Sequence, residues 1–176
     1  MGKITLIIGG ARSGKSSLAV SIAQKNYRRV AFIPTCVPLD KEMKERVRLH
    51  KKSRPRAWKT FEHPNISEIL KNMPKTFDLI IIDCLTLWVS NLLCGKQKQQ
   101  YIERSFNEIL FLLKKIKADS ILVANEVGLG IVPENDLARE FRDVAGRINQ
   151  AGAANADSVF FMFAGLPVQL KGKLHG

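Results

Sequence analysis

Apolar positions gather into five short runs, Ile4 to Ile8, Val30 to Ile33, Leu79 to Ile82, Ile121 to Val123 and Val159 to Phe163, rich in Ile, Val and Phe and bounded by turn residues. Continuous rather than alternating hydrophobicity over so few residues predicts strands buried on both faces. Between them lie segments of helical length, Ser16 to Ala23, Lys41 to Lys52, Leu85 to Leu93, Ile102 to Lys117 and Glu134 to Ala151. Strand and helix alternating in this way predict an α/β fold, a mostly parallel central sheet with helices on both faces. Pro167 to Lys171 is expected to add a short edge strand, and Gln97 to Gln100 reads as an exposed loop tip. No repeat, low-complexity tract or linker interrupts the pattern, so residues 1–176 are expected to form a single domain.

Composition narrows the function classes. With 45% hydrophobic and 25% charged residues the chain is globular rather than disordered. No apolar stretch approaches the roughly 20 residues that cross a bilayer. The first apolar run leads straight into glycines rather than into a signal-peptide cleavage site, so it reads as a strand and the cytoplasm is the expected compartment. Cys36, Cys84 and Cys94 are odd in number and lack CxxC spacing, which argues for reduced thiols over disulfides or zinc. The formal charge of +12 admits a nucleic acid, an anionic small substrate or plain solubility. Its location is informative, because nine of the basic residues lie between Lys41 and Lys59, facing only Glu42 and Glu45. A solvated helix face is the ordinary explanation of such a run. This one encloses His50 and ends in Arg54-Pro55, a poor continuation of a helix, which favours an anion site.

Chemistry enters with Gly9, Gly10, Ala11, Arg12, Ser13, Gly14, Lys15 and Ser16, which fit GxxxxGK[ST] between a predicted strand and a predicted helix. Glycines let successive N–H groups turn inward on phosphate oxygens, and the following helix adds the positive end of its dipole. Lys15 is expected to reach the β and γ phosphates and Ser16 to bind Mg²⁺ through its hydroxyl. The competing reading is a chance glycine turn, which the flanking strand and helix make the weaker one.

Asp83 ends an apolar strand, as a Walker B acid does, and with Ser16 would support Mg²⁺; taken alone, Asp83 or Thr86 could equally cap the next helix. His50 stands among Arg48, Lys51, Lys52 and Arg54. Neighbouring cations discourage protonation, so the ring would stay a neutral nucleophile or base, while the same cations would hold a triphosphate. A surface histidine on a basic helix is the plainer alternative. After the fourth run, Asn125 and Glu126 open a glycine-containing loop through Pro133 to Asn135, at a sheet edge where substrate sites are commonly built. A strand-to-helix connection capped near Glu134 explains its proline but not its apolar stretch, and Arg139, Arg142, Asp143 and Arg147 read as an ordinary salt-bridged helix face.

Together these segments resemble the bifunctional adenosylcobinamide kinase / adenosylcobinamide-phosphate guanylyltransferase family of cobalamin biosynthesis. The resemblance rests on Gly9 to Ser16, Arg46 to His50 running on to Arg54-Pro55, Trp58 and Glu62, Asp83 to Trp88 with Asn91 to Leu93, and Asn125 to Asn135 with Phe141 to Asp143, Gly146, Asn149 and Gln150. It implies a RecA-like P-loop NTPase fold and an enzyme that phosphorylates adenosylcobinamide with ATP or GTP, then joins GMP from GTP to the resulting phosphate with release of pyrophosphate. It further implies His50 as the nucleophile that carries GMP, while Lys15, placed at the β and γ phosphates by the glycine-loop motif, is the other expected catalytic residue. Pro34, Thr35, Cys36, Lys51, Lys52, Ser53, Arg54, Glu62 and Asp83 would join the P-loop in nucleotide binding. A homo-oligomer, trimeric in many members, is implied as well.

Three rivals are weighed against it. A P-loop small-molecule kinase without guanylyltransferase activity would use His50 only to hold phosphate. A nucleic-acid-dependent NTPase would use the basic stretch, yet the interleaved aromatics of a strand-binding groove are missing, so no nucleic-acid partner is expected. A GTPase switch would need an NKxD-type guanine reader and a DxxG after Asp83, and neither occurs.

Overall fold

The structure, a computed structural model, describes residues 1–36 and 55–172. In chain order the elements are β1 (Ile4–Gly9), α1 (Lys15–Asn26), β2 (Val30–Pro34), β3 (Lys59–Thr60), α2 (Ile66–Asn72), β4 (Leu79–Asp83), α3 (Leu85–Cys94), α4 (Gln99–Lys115), β5 (Asp119–Asn125), α5 (Asp136–Asn155), β6 (Ser158–Phe163) and β7 (Leu166–Lys171). The strands form one seven-stranded sheet in the order β3-β2-β4-β5-β1-β6-β7. Every neighbouring pair is parallel except β6 and β7, which form an antiparallel hairpin. All five apolar runs of the sequence are strands, and the expected edge strand is β7.

Period-two geometry explains why these strands are apolar on both faces. Ile4, Leu6 and Ile8 of β1, Ile80 and Ile82 of β4, and Leu122 and Ala124 of β5 point into a core shared with α2, α3, α4 and α5. The intervening Ile7, Leu79, Ile81, Ile121 and Val123 point to the other face, where Ala19 and Ala23 of α1 cover them together with Tyr27 and Trp58. The central strands β1, β4 and β5 are therefore covered on both faces, and Thr5 and Ser120 are the polar residues between their ends.

Several boundaries differ from the sequence reading. The helix expected over Lys41 to Lys52 lies outside the described residues. Gln99 and Gln100, read as part of a loop tip, form the first turn of α4, whose strongly amphipathic pattern runs back past Ile102. The cap of α5 is Asn135 rather than Glu134, its carboxamide oxygen accepting from the Ala138 amide at 3.0 Å. Two short elements went unread: α2, and the two-residue β3, whose existence depends on pairing with Ala31 and Phe32 of β2 rather than on its own sequence.

Because β1 to β6 are parallel, their C-terminal ends share one edge of the sheet. β1 there turns into the glycine loop, β4 ends at Asp83, and β5 ends at Asn125, between the other two. Ligands of open α/β sheets bind at this edge.

Candidate active site: the phosphate cleft at the strand ends

The turn from β1 into α1 has the geometry its glycines dictate. Gly9 adopts φ +155° and Gly14 φ +95°, the latter as the residue capping α1. A Cβ on Gly9 would lie 2.7 Å from the Met162 carbonyl oxygen and 2.8 Å from Ser13 Oγ, so this position excludes any larger residue. The amide of Ser13 donates to the Gly10 carbonyl at 3.3 Å, closing the loop. No acidic residue occupies the first turn of α1, leaving its positive dipole end unopposed.

Lys15 is buried in this loop, its Nζ donating to the Gly10 carbonyl at 2.6 Å and to Ser13 Oγ at 3.4 Å. Burial lowers its pKa from the usual lysine value, and the negative charge available at Cys84 and Asp83 opposes that shift. Ala11 to Ser17, Asp83, Cys84 and Asn125 line one cleft of about 440 Å³. Sequence reasoning anticipated Lys15, Ser16 and Asp83 together, and the cleft brings them together.

The floor of the cleft is braced from β2. The Thr35 hydroxyl donates to the Cys84 carbonyl at 2.6 Å and accepts from the Cys84 amide at 2.8 Å, while the Thr35 amide donates to the Asp83 carbonyl at 3.0 Å. Asn91 of α3 donates through Nδ2 to the Thr35 carbonyl at 2.8 Å. The Asp83–Cys84 peptide is cis. Burial pushes the Cys84 thiol up to about 11, with the Asp83 charge acting in the same direction. The cap of α3 is Cys84, which makes no side-chain cap hydrogen bond, and the Thr86 hydroxyl bonds Asn125 instead; Thr86 therefore does not serve as the cap considered from sequence.

Pro34 ends β2 and Thr35 and Cys36 follow it at the same sheet edge, but none of the three lines the cleft; Thr35 acts on it through Cys84. Glu62 is exposed beyond β3, two strands from β4. His50, Lys51, Lys52, Ser53 and Arg54 lie outside the described residues.

Asn125 was read only as part of the loop that follows it, and the cleft lining adds it. Its signal was present in the sequence, a polar residue closing an apolar strand as Asp83 closes β4. Beyond it, the Glu126 amide donates to the Gly9 carbonyl at 3.0 Å, fastening the loop to the glycine turn. Leu129, Ile131 and Val132 of that loop stand exposed. On α5, Arg147 pairs with Glu103 of α4 at 2.7 Å, Arg142 lies 3.8 Å from Asp143, and Arg139 pairs with Asp136, in keeping with a salt-bridged face.

The donor set suits Mg²⁺, which takes one or two protein oxygens and completes its octahedron from phosphate and water, because the cleft offers a hydroxyl at Ser16 and a carboxylate at Asp83. Among the described residues no cluster of three or more His, Cys, Asp or Glu forms an all-protein metal cage.

A glycine loop closing on a buried lysine, with a strand-end carboxylate across the cleft, on a mostly parallel sheet, defines a P-loop enzyme with an α/β fold. The chain belongs to the cobinamide kinase / cobinamide phosphate guanyltransferase family, whose model matches residues 5–170. It is 40% identical over 169 residues to the bifunctional adenosylcobalamin biosynthesis protein CobP of Pseudomonas aeruginosa, covering 96% of this chain and 97% of that one. It is 38% identical over 179 residues to CobU of Salmonella typhimurium and 36% identical over 179 residues to CobU of Escherichia coli, each covering 94% of this chain and 98% of the relative. Among solved structures, the RadB recombinase superposes with a TM-score of 0.48 at 13% identity, covering 91% of this chain and 74% of that one. Family membership makes the chain an enzyme of the kinase and guanylyltransferase kind.

Proposed function

We propose that the chain phosphorylates the aminopropanol hydroxyl of adenosylcobinamide with ATP or GTP, then transfers GMP from GTP to the product through a covalent adduct on His50. The observation that carries the first step is the convergence of Lys15, Ser16 and Asp83 on one cleft beneath the N-terminus of α1. Phosphoryl transfer depends chiefly on positioning and on neutralising spread charge, and this cleft supplies loop amides, a helix dipole and a lysine for both. Ser16 and Asp83 would hold Mg²⁺, which when bound adds positive charge against the phosphates.

In the second step one imidazole nitrogen of His50 attacks the α phosphorus of GTP, and the bond to the bridging oxygen breaks as pyrophosphate departs. An oxygen of adenosylcobinamide phosphate then attacks the same phosphorus, giving adenosylcobinamide-GDP and restoring the imidazole. The basic neighbours Lys51, Lys52 and Arg54 stabilise the departing pyrophosphate and keep the ring neutral. Ser53, Glu62 and the Pro34-Thr35-Cys36 turn complete the nucleotide site in this reading.

No helix among the described residues is long and apolar enough to cross a membrane, in line with an enzyme working on small molecules in the cytoplasm. Assembly into a homo-oligomer, a trimer by resemblance, is supported by β7, an edge strand on which Leu166, Val168 and Leu170 are all exposed. A kinase lacking the second activity remains the reading that the P-loop cleft alone would support.

The test is a product analysis. Incubating the chain with adenosylcobinamide, Mg²⁺ and GTP should yield two successive corrinoid products by chromatography, the phosphate and then the GDP derivative. Accumulation of the phosphate alone would reduce the chain to a kinase, and no corrinoid product at all would overturn the proposal.

A further inference from the structure

The geometry points to Asn125 as a catalytic residue whose side-chain amide donates to the γ phosphate of the bound nucleotide, held in place by Thr86 and Asn149. It rests on the phosphoryl-transfer reading of the cleft and adds a residue to it.

β5 lies between the strand that feeds the glycine loop and the strand that ends in Asp83, parallel to both. In the β1 register Asn125 stands opposite Gly9, while Asp83 stands opposite Val123. β5 thus reaches past Asp83 and ends level with the first glycine of the turn. Among the described residues that line the cleft, Asn125 offers the only carboxamide. Loop amides and the start of α1 wrap the phosphates from one side, and Asp83 and Asn125 close the cleft from the strand ends opposite. A terminal phosphate reached by Lys15 meets that wall.

Two buried polar side chains are committed to the backbone of this one residue. Thr86 of α3 accepts from the Asn125 amide at 2.5 Å, its hydroxyl also lying 3.5 Å from the Asn125 carbonyl. Asn149 of α5 donates through Nδ2 to the same carbonyl at 3.1 Å. Thr86 and Asn149 are 5% and 8% exposed, so each has exchanged water for this contact. Fixing both main-chain groups leaves Asn125 little freedom except about its side-chain torsions, which is what preorganising a donor requires.

In the transfer, an oxygen lone pair of the acceptor hydroxyl forms the new bond to the γ phosphorus. The bond from that phosphorus to the β–γ bridging oxygen breaks, its electron pair leaves with the nucleoside diphosphate, and the hydroxyl proton passes to water. The Asn125 amide donates to an equatorial γ oxygen, holding the transferring phosphoryl group in line and sharing the charge spread over its oxygens, and takes no proton itself.

A γ-phosphate contact makes a demand that a merely structural residue does not. Calorimetric affinities for GTP and GDP, measured on the full chain with Mg²⁺, should separate in the Asn125→Ala variant. GTP binding is expected to weaken about tenfold, as for a hydrogen bond to a charged group, while GDP binding stays as in wild type. The kcat for adenosylcobinamide phosphorylation should fall about 10²-fold. Asn125→Asp keeps the shape and the main-chain bonds but sets a carboxylate against the phosphate, so it should lose more GTP affinity than the alanine variant. Thr86→Val should reproduce part of the GTP-specific loss, and Thr86→Ser should restore it. Equal weakening of GTP and GDP, or no weakening of either, would overturn the assignment. Because these affinities need no corrinoid, a protein that failed to phosphorylate adenosylcobinamide would still decide the role of Asn125.

Discussion

The amide of Gly165 donates to the carbonyl of Ser13 across 3.0 Å, so the turn of the β6–β7 hairpin is fastened to the glycine loop that lines the cleft. Both turn residues, Ala164 at φ +46° and Gly165 at φ +88°, have the left-handed conformation that two-residue hairpins require. The contact is close: a Cβ on Gly14 would lie 3.3 Å from Gly165 Cα and 3.4 Å from Met162 Cε. Gly14→Ala should therefore suffer twice, from a strained φ of about 1–2 kcal/mol and from crowding against the hairpin. Nucleotide affinity measured by calorimetry should fall by tenfold or more. A Cβ on Gly10 meets nothing within 4 Å, and Gly10→Ala should lose less.

The buried charge of Lys15 carries a cost in stability. Burial lowers its pKa, so between that lowered value and the ordinary lysine value near 10.5 the unfolded chain binds more protons than the folded one. Stability from this group consequently rises with pH through that window, and at neutral pH its buried charge destabilises the fold. Lys15→Met should raise the melting temperature of the nucleotide-free protein, abolish the further rise that GTP produces in wild type, and reduce kinase turnover by more than 10²-fold.

The double hydrogen bond between Thr35 and Cys84 predicts a stability effect confined to one hydroxyl. Thr35→Val keeps the shape but leaves a buried amide and a buried carbonyl without that partner, and should cost about 2 kcal/mol in urea denaturation. Thr35→Ser retains the hydroxyl and should lose less than half as much.

The Cys94 and Cys84 thiols should separate by reactivity. Cys94 is exposed and should alkylate readily at pH 8, whereas Cys84, buried and pushed up to about 11, should react only after unfolding. Mass analysis of partly labelled protein would check the order. For Cys84 the folded chain holds its proton more tightly, so this group's contribution to stability is present below about pH 9 and is lost as pH rises towards 11.

The central strands and the phosphate cleft were legible in the sequence because both leave local signatures. A strand covered on both faces must be apolar at nearly every position, and a phosphate turn must place glycines, lysine and serine at fixed spacing. Elements stabilised by tertiary pairing were not legible. β3 has two exposed residues, Lys59 and Thr60, and no pattern of its own. α2 is seven residues long, and its signal was the Asn65 cap, whose side chain accepts from the Glu68 amide at 3.2 Å three residues on. Asn125 was legible as a polar residue closing a strand and opening a loop, but its place in the cleft follows only from the sheet order, which sets β5 between the strands of Gly9 and Asp83. The guanylyl half of the site, His50 with Lys51 to Arg54, rests on sequence and family alone.

That half is tested most directly by the covalent intermediate. Wild-type protein and the His50→Ala variant should be incubated with Mg²⁺ and α-labelled GTP, then denatured and divided between acid and alkali. Label that stays on wild type in alkali, is released by acid and never appears on His50→Ala is the predicted result. Equal labelling of the two proteins would contradict GMP transfer through His50.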